Sequence, residues 1–286
     1  MGFRLPEITL LAGRAGILAG ALFMAATAQG QADETLDGLV GEEVLSEKTR
    51  CGIGRGRKCD IEIAVQLGLF ETGLRPQFPA GLECRDIDEQ WAIDYSSKRD
   101  RINYHGGIDM PAPYGTPIIA AAAGTVVAIY DEPESYRGRE VVLRHSPEQT
   151  GLPYWVYTQY AHFDKTPLVE VGQKVKMGEV LGPTGNSGRG RKSGVQSTKR
   201  RPAIHYAVWF SESAEFANVR DRVIVPVDGL WMDPNALYRL QPPFDSAAMQ
   251  ALPDAEKKVM IPVMLDDGIT IPATTKLIWP YTCKRS

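Results

Sequence analysis

At 286 residues, with 43% hydrophobic and 23% charged side chains, the chain has the ordinary composition of a globular protein of one or two domains. A formal net charge of -3 excludes a chain built as a whole to wrap nucleic acid. Only four histidines are present, His105, His145, His162 and His205, so a histidine-dependent site has few ways to be assembled.

The N-terminus reads as a targeting segment. Arg4 and Arg14 flank the start of an apolar stretch from Ala15 to Ala28, and small residues follow. Ala26-Thr27-Ala28 and Gly30-Gln31-Ala32 are alternative cleavage sites, which predicts a secretory signal peptide over residues 1–32. The competing reading is a membrane anchor, but the run is short for a span of about 20 residues. No later stretch is long and apolar enough to cross a bilayer, so the expectation is an exported protein, periplasmic or secreted, with no stable membrane span after cleavage. An even number of cysteines in an exported chain favours disulfides. Cys51, Cys59, Cys84 and Cys283 allow three pairings; in one, Cys51 and Cys59 close a small loop and Cys84 with Cys283 ties the tail to the body. No CxxC spacing supports a metal cluster instead.

Residues 33–83 form an N-terminal extension, in which the segment Asp60–Leu74 fits either a helix or a strand followed by a turn. The next region, 84–240, carries β-branched and aromatic runs broken by Gly, Pro and polar turns: IIAAAAGTVVAIYD, REVVLRHS and YWVYTQYAHFD. VEVGQKVKMGEVLGPTGNSG continues in that style. The predicted fold class is mainly β, a compact antiparallel, barrel-like sheet domain. The tail, 241–286, opens on the Pro-rich QPPFDS and ends in the strand-like VMIPVML and GITIPATTKLIW.

Three motifs carry chemistry. In Tyr104-His105-Gly106-Gly107-Ile108-Asp109, a histidine and a carboxylate four apart converge if the two glycines turn the backbone sharply. In Pro202-Ala203-Ile204-His205-Tyr206-Ala207, strand alternation puts Ala203 and His205 on one face. A strand histidine facing the His/Asp turn completes three protein ligands, the number at a catalytic zinc site that keeps one position open. In Tyr157-Thr158-Gln159-Tyr160-Ala161-His162-Phe163, His162 ends an aromatic strand from which it can reach the sheet surface. Taken singly, His205 is equally a half-buried hydrogen-bonded histidine and His162 a plain strand-end residue.

The order HGGID, GTPIIAAAAGTVV, YAHFD, VGQKVKMGEVLGPTGNSG, PAIHYAVW, DP resembles the lysostaphin/LytM-type zinc metallopeptidases over roughly Cys84 to Leu240. The resemblance implies one Zn2+ ion in an open groove, held by His105, Asp109 and His205, with His162 acting beside the metal as general acid/base or oxyanion donor. It implies cleavage of the peptide crosslinks of peptidoglycan, so peptidoglycan peptides are the expected partner. His145 matches no ligand and is expected to be structural. The family's strand motif is usually His-x-His followed by an aromatic and an acidic residue; here Ala203 stands at the first histidine. An alternative register makes His205 that partner and leaves Ala207 at the ligand position; Pro202, Tyr206 and Val208 favour the first register. Tyr104 or Tyr206 is available to replace the missing group in part. The second function class is a catalytically impaired relative that binds peptidoglycan or regulates another wall hydrolase. The basic loop 189–201, with Arg189, Arg191, Lys192, Lys199, Arg200 and Arg201, fits either an anionic partner such as an acidic envelope polymer or a solvated face.

Overall fold

The β-branched and aromatic runs form seven strands of one sheet: β1 (Ile108–Pro111), β2 (Gly124–Asp131), β3 (Arg139–His145), β4 (Trp155–Phe163), β5 (Lys174–Val175), β6 (Ala203–Ser211) and β7 (Leu230–Met232). The path β7-β6-β4-β3-β2-β5 is hydrogen-bonded throughout, and β1 lies beside β6 on the edge that β6 shares with β7. Every pairing in this sheet is antiparallel, so the domain is mainly β and antiparallel as its β-branched and aromatic runs predict. The computed structural model describes residues 1–2, 36–54, 59–92, 104–188 and 201–286. All but residues 1–2 of the signal segment and all but Arg201 of the basic loop lie outside the described residues. The chain divides into two units, Met1–Thr35 and Leu36–Ser286, and the second holds the sheet. Among the described residues, no helix is long and apolar enough to cross a membrane.

Both faces of the central strands are covered. Along β4 only Trp155 is half-buried and the other eight residues are buried, which is why the run reads as apolar with embedded polar groups rather than as a simple alternation. On one face the rings of Tyr160 and Tyr206 pack at 5.3 Å. On the other, Trp209 meets Trp231 at 5.4 Å, and Trp231 meets Trp91 at 6.0 Å. Such aromatic pairs contribute about 0.5–1.5 kcal/mol each beyond their area.

The segments outside the central region are stitched onto it. The ambiguous Asp60–Leu74 stretch contains a helix, Ile61–Gln66, because the Asp60 carboxylate caps it by accepting the Glu62 N–H. From this extension, the Gly52 carbonyl accepts Trp231 Nε1–H at 3.0 Å and the Leu67 carbonyl accepts Trp231 N–H. The tail reaches the sheet region at Ile278, whose N–H donates to the Ala121 carbonyl, and at Trp279, which is fully buried. Arg75–Gln77 pairs in parallel with Lys258–Met260. Two disulfides are formed, Cys51–Cys59 and Cys84–Cys283, and no cysteine is free.

Candidate metal centre

Strand register brings the first two groups together. His205 on β6 stands directly opposite Asp109 on β1, so both side chains leave the same face. On its other edge His205 faces Ala161, which offers only a methyl group there. His105 arrives at the same point by reversing over Gly106-Gly107. A Cβ on Gly107 would lie 2.5 Å from the Tyr206 carbonyl oxygen and 2.9 Å from the His205 ring, so only glycine lets the turn close against β6.

The result is a cluster of three donor atoms. His105 Nε2 lies 3.2 Å from Asp109 Oδ1, His205 Nδ1 lies 2.9 Å from the same oxygen, and the two nitrogens are 3.0 Å apart. Ligands about 2.0–2.1 Å from a tetrahedral zinc stand about 3.3–3.4 Å from one another, so the cluster is within a few tenths of an ångström of that spacing. Two nitrogens and one carboxylate oxygen form the donor set that zinc accepts. Asp109 is buried, which raises its pKa, yet the adjacent His105 and His205 outweigh burial and hold its carboxyl well below the usual carboxylate range.

The groups behind the cluster orient it. The His105 Nδ1–H donates to the Gln90 carbonyl at 3.1 Å, which turns Nε2 toward Asp109 as the lone-pair nitrogen. The segment around Gln90 is itself laced to β1. Asp109 N–H donates to the Glu89 carbonyl, Asp88 N–H to the Asp109 carbonyl and Ala92 N–H to the His105 carbonyl. Arg201, at the end of the basic loop, forms an ion pair with Asp88. Sequence reasoning passed over Asp88, Glu89 and Gln90, and two of the three act through main-chain groups alone in these contacts.

His162 reaches the site through a β-bulge. The β3–β4 register slips at Arg139/Glu140, where Arg139 faces Phe163 and Glu140 faces Ala161, leaving His162 as the extra residue. Its φ of 75° is uncommon for a side chain other than glycine. The bulge turns its ring to 5.9 Å from the His205 ring. Its Nδ1–H donates to the Ser187 carbonyl at 2.8 Å, so Nε2 is the basic nitrogen of the neutral ring. Ser187 is wedged in turn: its Oγ accepts the Arg139 N–H at 3.0 Å, and a Cβ on Gly138 would lie 2.4 Å from its carbonyl carbon.

The remaining candidates fall elsewhere. Ala203 shares the His205 face and is 2% exposed, its N–H donating to the Gly185 carbonyl. Tyr206 lies on the opposite face against Tyr160 and does not reach the metal cluster, whereas Tyr104 is half-buried next to His105. His145 is fully buried at the end of β3, bonded to the Ala123 carbonyl and the Thr158 hydroxyl, both at 2.7 Å.

Two imidazoles and a carboxylate gathered on an antiparallel sheet make this a β domain with a group able to hold a metal ion. Residues 103–216 match the model of Peptidase family M23. It is similar to the peptidoglycan DD-endopeptidase ShyA of Vibrio cholerae, at 36% identity over 36% of this chain and 23% of that protein. It is also similar to the uncharacterized lipoprotein YgeR of Escherichia coli, at 41% identity over 28% of this chain and 29% of that protein. Among solved structures, a zinc-containing peptidase from Vibrio cholerae is similar at 25% identity, over 50% of this chain and 35% of that one, with a TM-score of 0.30. The chain spans less than a third of the length of the curated relatives it matches.

Proposed function

We propose that the chain is an exported zinc metalloendopeptidase that hydrolyses peptide crosslinks of peptidoglycan, with His105, Asp109 and His205 holding one Zn2+ ion and His162 as the catalytic acid/base. One observation carries this reading: His105 Nε2, Asp109 Oδ1 and His205 Nδ1 meet at 2.9–3.2 Å with the His162 ring beside them. The M23 match and relatives named as peptidoglycan endopeptidases support the substrate class. Residues 1–32 serve as the export signal, 33–83 as an extension, 84–240 as the catalytic domain and 241–286 as its tail. The loop 189–201 presents its cations to an anionic envelope polymer.

A zinc ion held by His105, Asp109 and His205 would supply Lewis acidity, activating water and polarising the scissile carbonyl. The protein supplies the rest. Asp109 stays ionised and His105 stays in one tautomer, so the donor set keeps its charge. His162, locked by Ser187, takes a proton at Nε2 from the attacking water and returns it to the leaving amine.

The second reading is a domain that binds peptidoglycan or regulates another hydrolase. It is favoured by Ala203, a buried methyl on the ligand face where the family usually has a histidine. Zinc content of the purified protein, paired with a digest of isolated peptidoglycan analysed for new peptide ends, decides between them. One zinc per chain with chelator-sensitive new ends is the expected result; one zinc with no cleavage selects the second reading, and no zinc removes the site assignment.

A further inference from the structure

At the far end of β6 from His205 lies a cavity of about 570 Å³, within the ~300–1,000 Å³ range of small-molecule sites. Phe210, on its wall, is five residues along the strand from His205, a distance of about 17 Å, and its side chain leaves the opposite face of the sheet. The cavity is therefore no extension of the metal centre.

Its walls are aromatic. Tyr154 stands edge-on to Phe210 at 5.0 Å and to Phe244 at 5.6 Å, so three rings enclose one corner. Its mouth is anionic: Glu212, Asp228 and Asp245 line it, all three are exposed, and no Lys, Arg or His is among the lining residues. The interior takes an apolar stem and the rim takes a positive charge, while a carboxylate or phosphate would meet three like charges; the neighbouring Arg239 guanidinium is bonded to the Pro243 carbonyl. An aliphatic ammonium satisfies both halves, its methylenes against the rings and its charge over a ring face or beside a carboxylate.

We propose that this cavity is a binding site for an aliphatic ammonium group, the side-chain chemistry of lysine or another diamino acid held in a peptide. Such a site grips a second point on a cationic peptide remote from the metal centre. The inference stands on the cavity's shape and charge and is independent of the proposed hydrolysis.

The test titrates the full chain, isotope-labelled for NMR, with acetyl-Gly-Lys-Gly-amide, its norleucine counterpart and the free diamine cadaverine. The lysine peptide is expected to shift the amides of Phe210, Leu230 and Phe244 and to bind about tenfold or more tightly than the norleucine peptide. Exchanging Glu212→Gln with Asp228→Asn, both exposed and isosteric, should weaken the lysine peptide by about tenfold and leave the norleucine peptide unchanged. Tyr154→Leu should weaken both. A stronger response to the peptide than to cadaverine assigns a peptide source, and the reverse assigns a free amine; either supports ammonium recognition. Equal binding of the lysine and norleucine peptides overturns it, as does the absence of shifts at these amides at millimolar ligand.

Discussion

His145 and the cluster around Asp109 use the same side chain in opposite ways. At His145 each ring nitrogen meets an oxygen of the right polarity. The Ala123 carbonyl can only accept, so Nδ1 carries the proton, and Nε2 lies 2.7 Å from the Thr158 hydroxyl. Every polar atom is satisfied within the protein, and burial, only partly offset by the Ala123 carbonyl, pushes the imidazole down to about 4. At the cluster, a nitrogen faces a nitrogen at 3.0 Å, with a carboxylate oxygen close to both. Three atoms that can each coordinate a metal converge there, and one cation can be held by all three together. The contrast separates a histidine bonded into the fold from histidines whose ring nitrogens converge on a shared carboxylate oxygen.

The largest expected effect breaks the cluster. His205→Ala or Asp109→Ala should reduce bound zinc from about one per chain to near zero by elemental analysis, whereas His145→Gln should leave it intact. Full zinc in His205→Ala would sink the ligand assignment. His162→Ala should sit between them, keeping its zinc while turnover on peptidoglycan falls by about 10²–10⁴-fold.

A smaller effect sharpens the other side of the comparison. His145 is neutral in the fold down to about pH 4, but in the unfolded chain it takes up a proton below about pH 6.5. The unfolded state therefore binds more protons in that window, and stability falls as pH drops from 6.5 towards 4. The loss attributable to this residue is about 3 kcal/mol. Asp233, pushed up to about 6 by burial despite its bonds to Thr72 and Asn235, slopes the opposite way. Urea unfolding of wild type and His145→Gln across the window cancels that term, and parallel pH profiles would refute the assignment. The smallest effect is Thr158→Val, which removes the partner of His145 Nε2 and should cost about 1–3 kcal/mol with zinc content unchanged.

These two environments were unequally legible in the sequence. The grouping of His205 with His105 and Asp109 was legible through the resemblance carried by the ordered motifs, with the two glycines after His105 and the strand around His205 as the local signals. Ala203, His205 and Ala207 also fall on one face as the period of two requires. His162 is harder, because a bulge breaks that period at the residue itself. Gln90 and Ser187 hold the site histidines by main-chain carbonyls, so their side chains carry no trace of the role. Ile61–Gln66 is under two turns long, too short for helical periodicity to separate it from a strand. The cavity beside Phe210 is assembled from segments distant in sequence, and no local pattern announces it.

The Cys84–Cys283 bond joins the start of the segment that orients His105 to the tail, 199 residues further on. It makes the metal-site domain a closed covalent ring, with β1 through β7 inside it. A single backbone cut anywhere in that ring opens the chain without releasing a fragment, and the two pieces part only after reduction. Nicking and loss of mass thereby become separate events, one controlled by proteases and the other by the redox state of the surroundings.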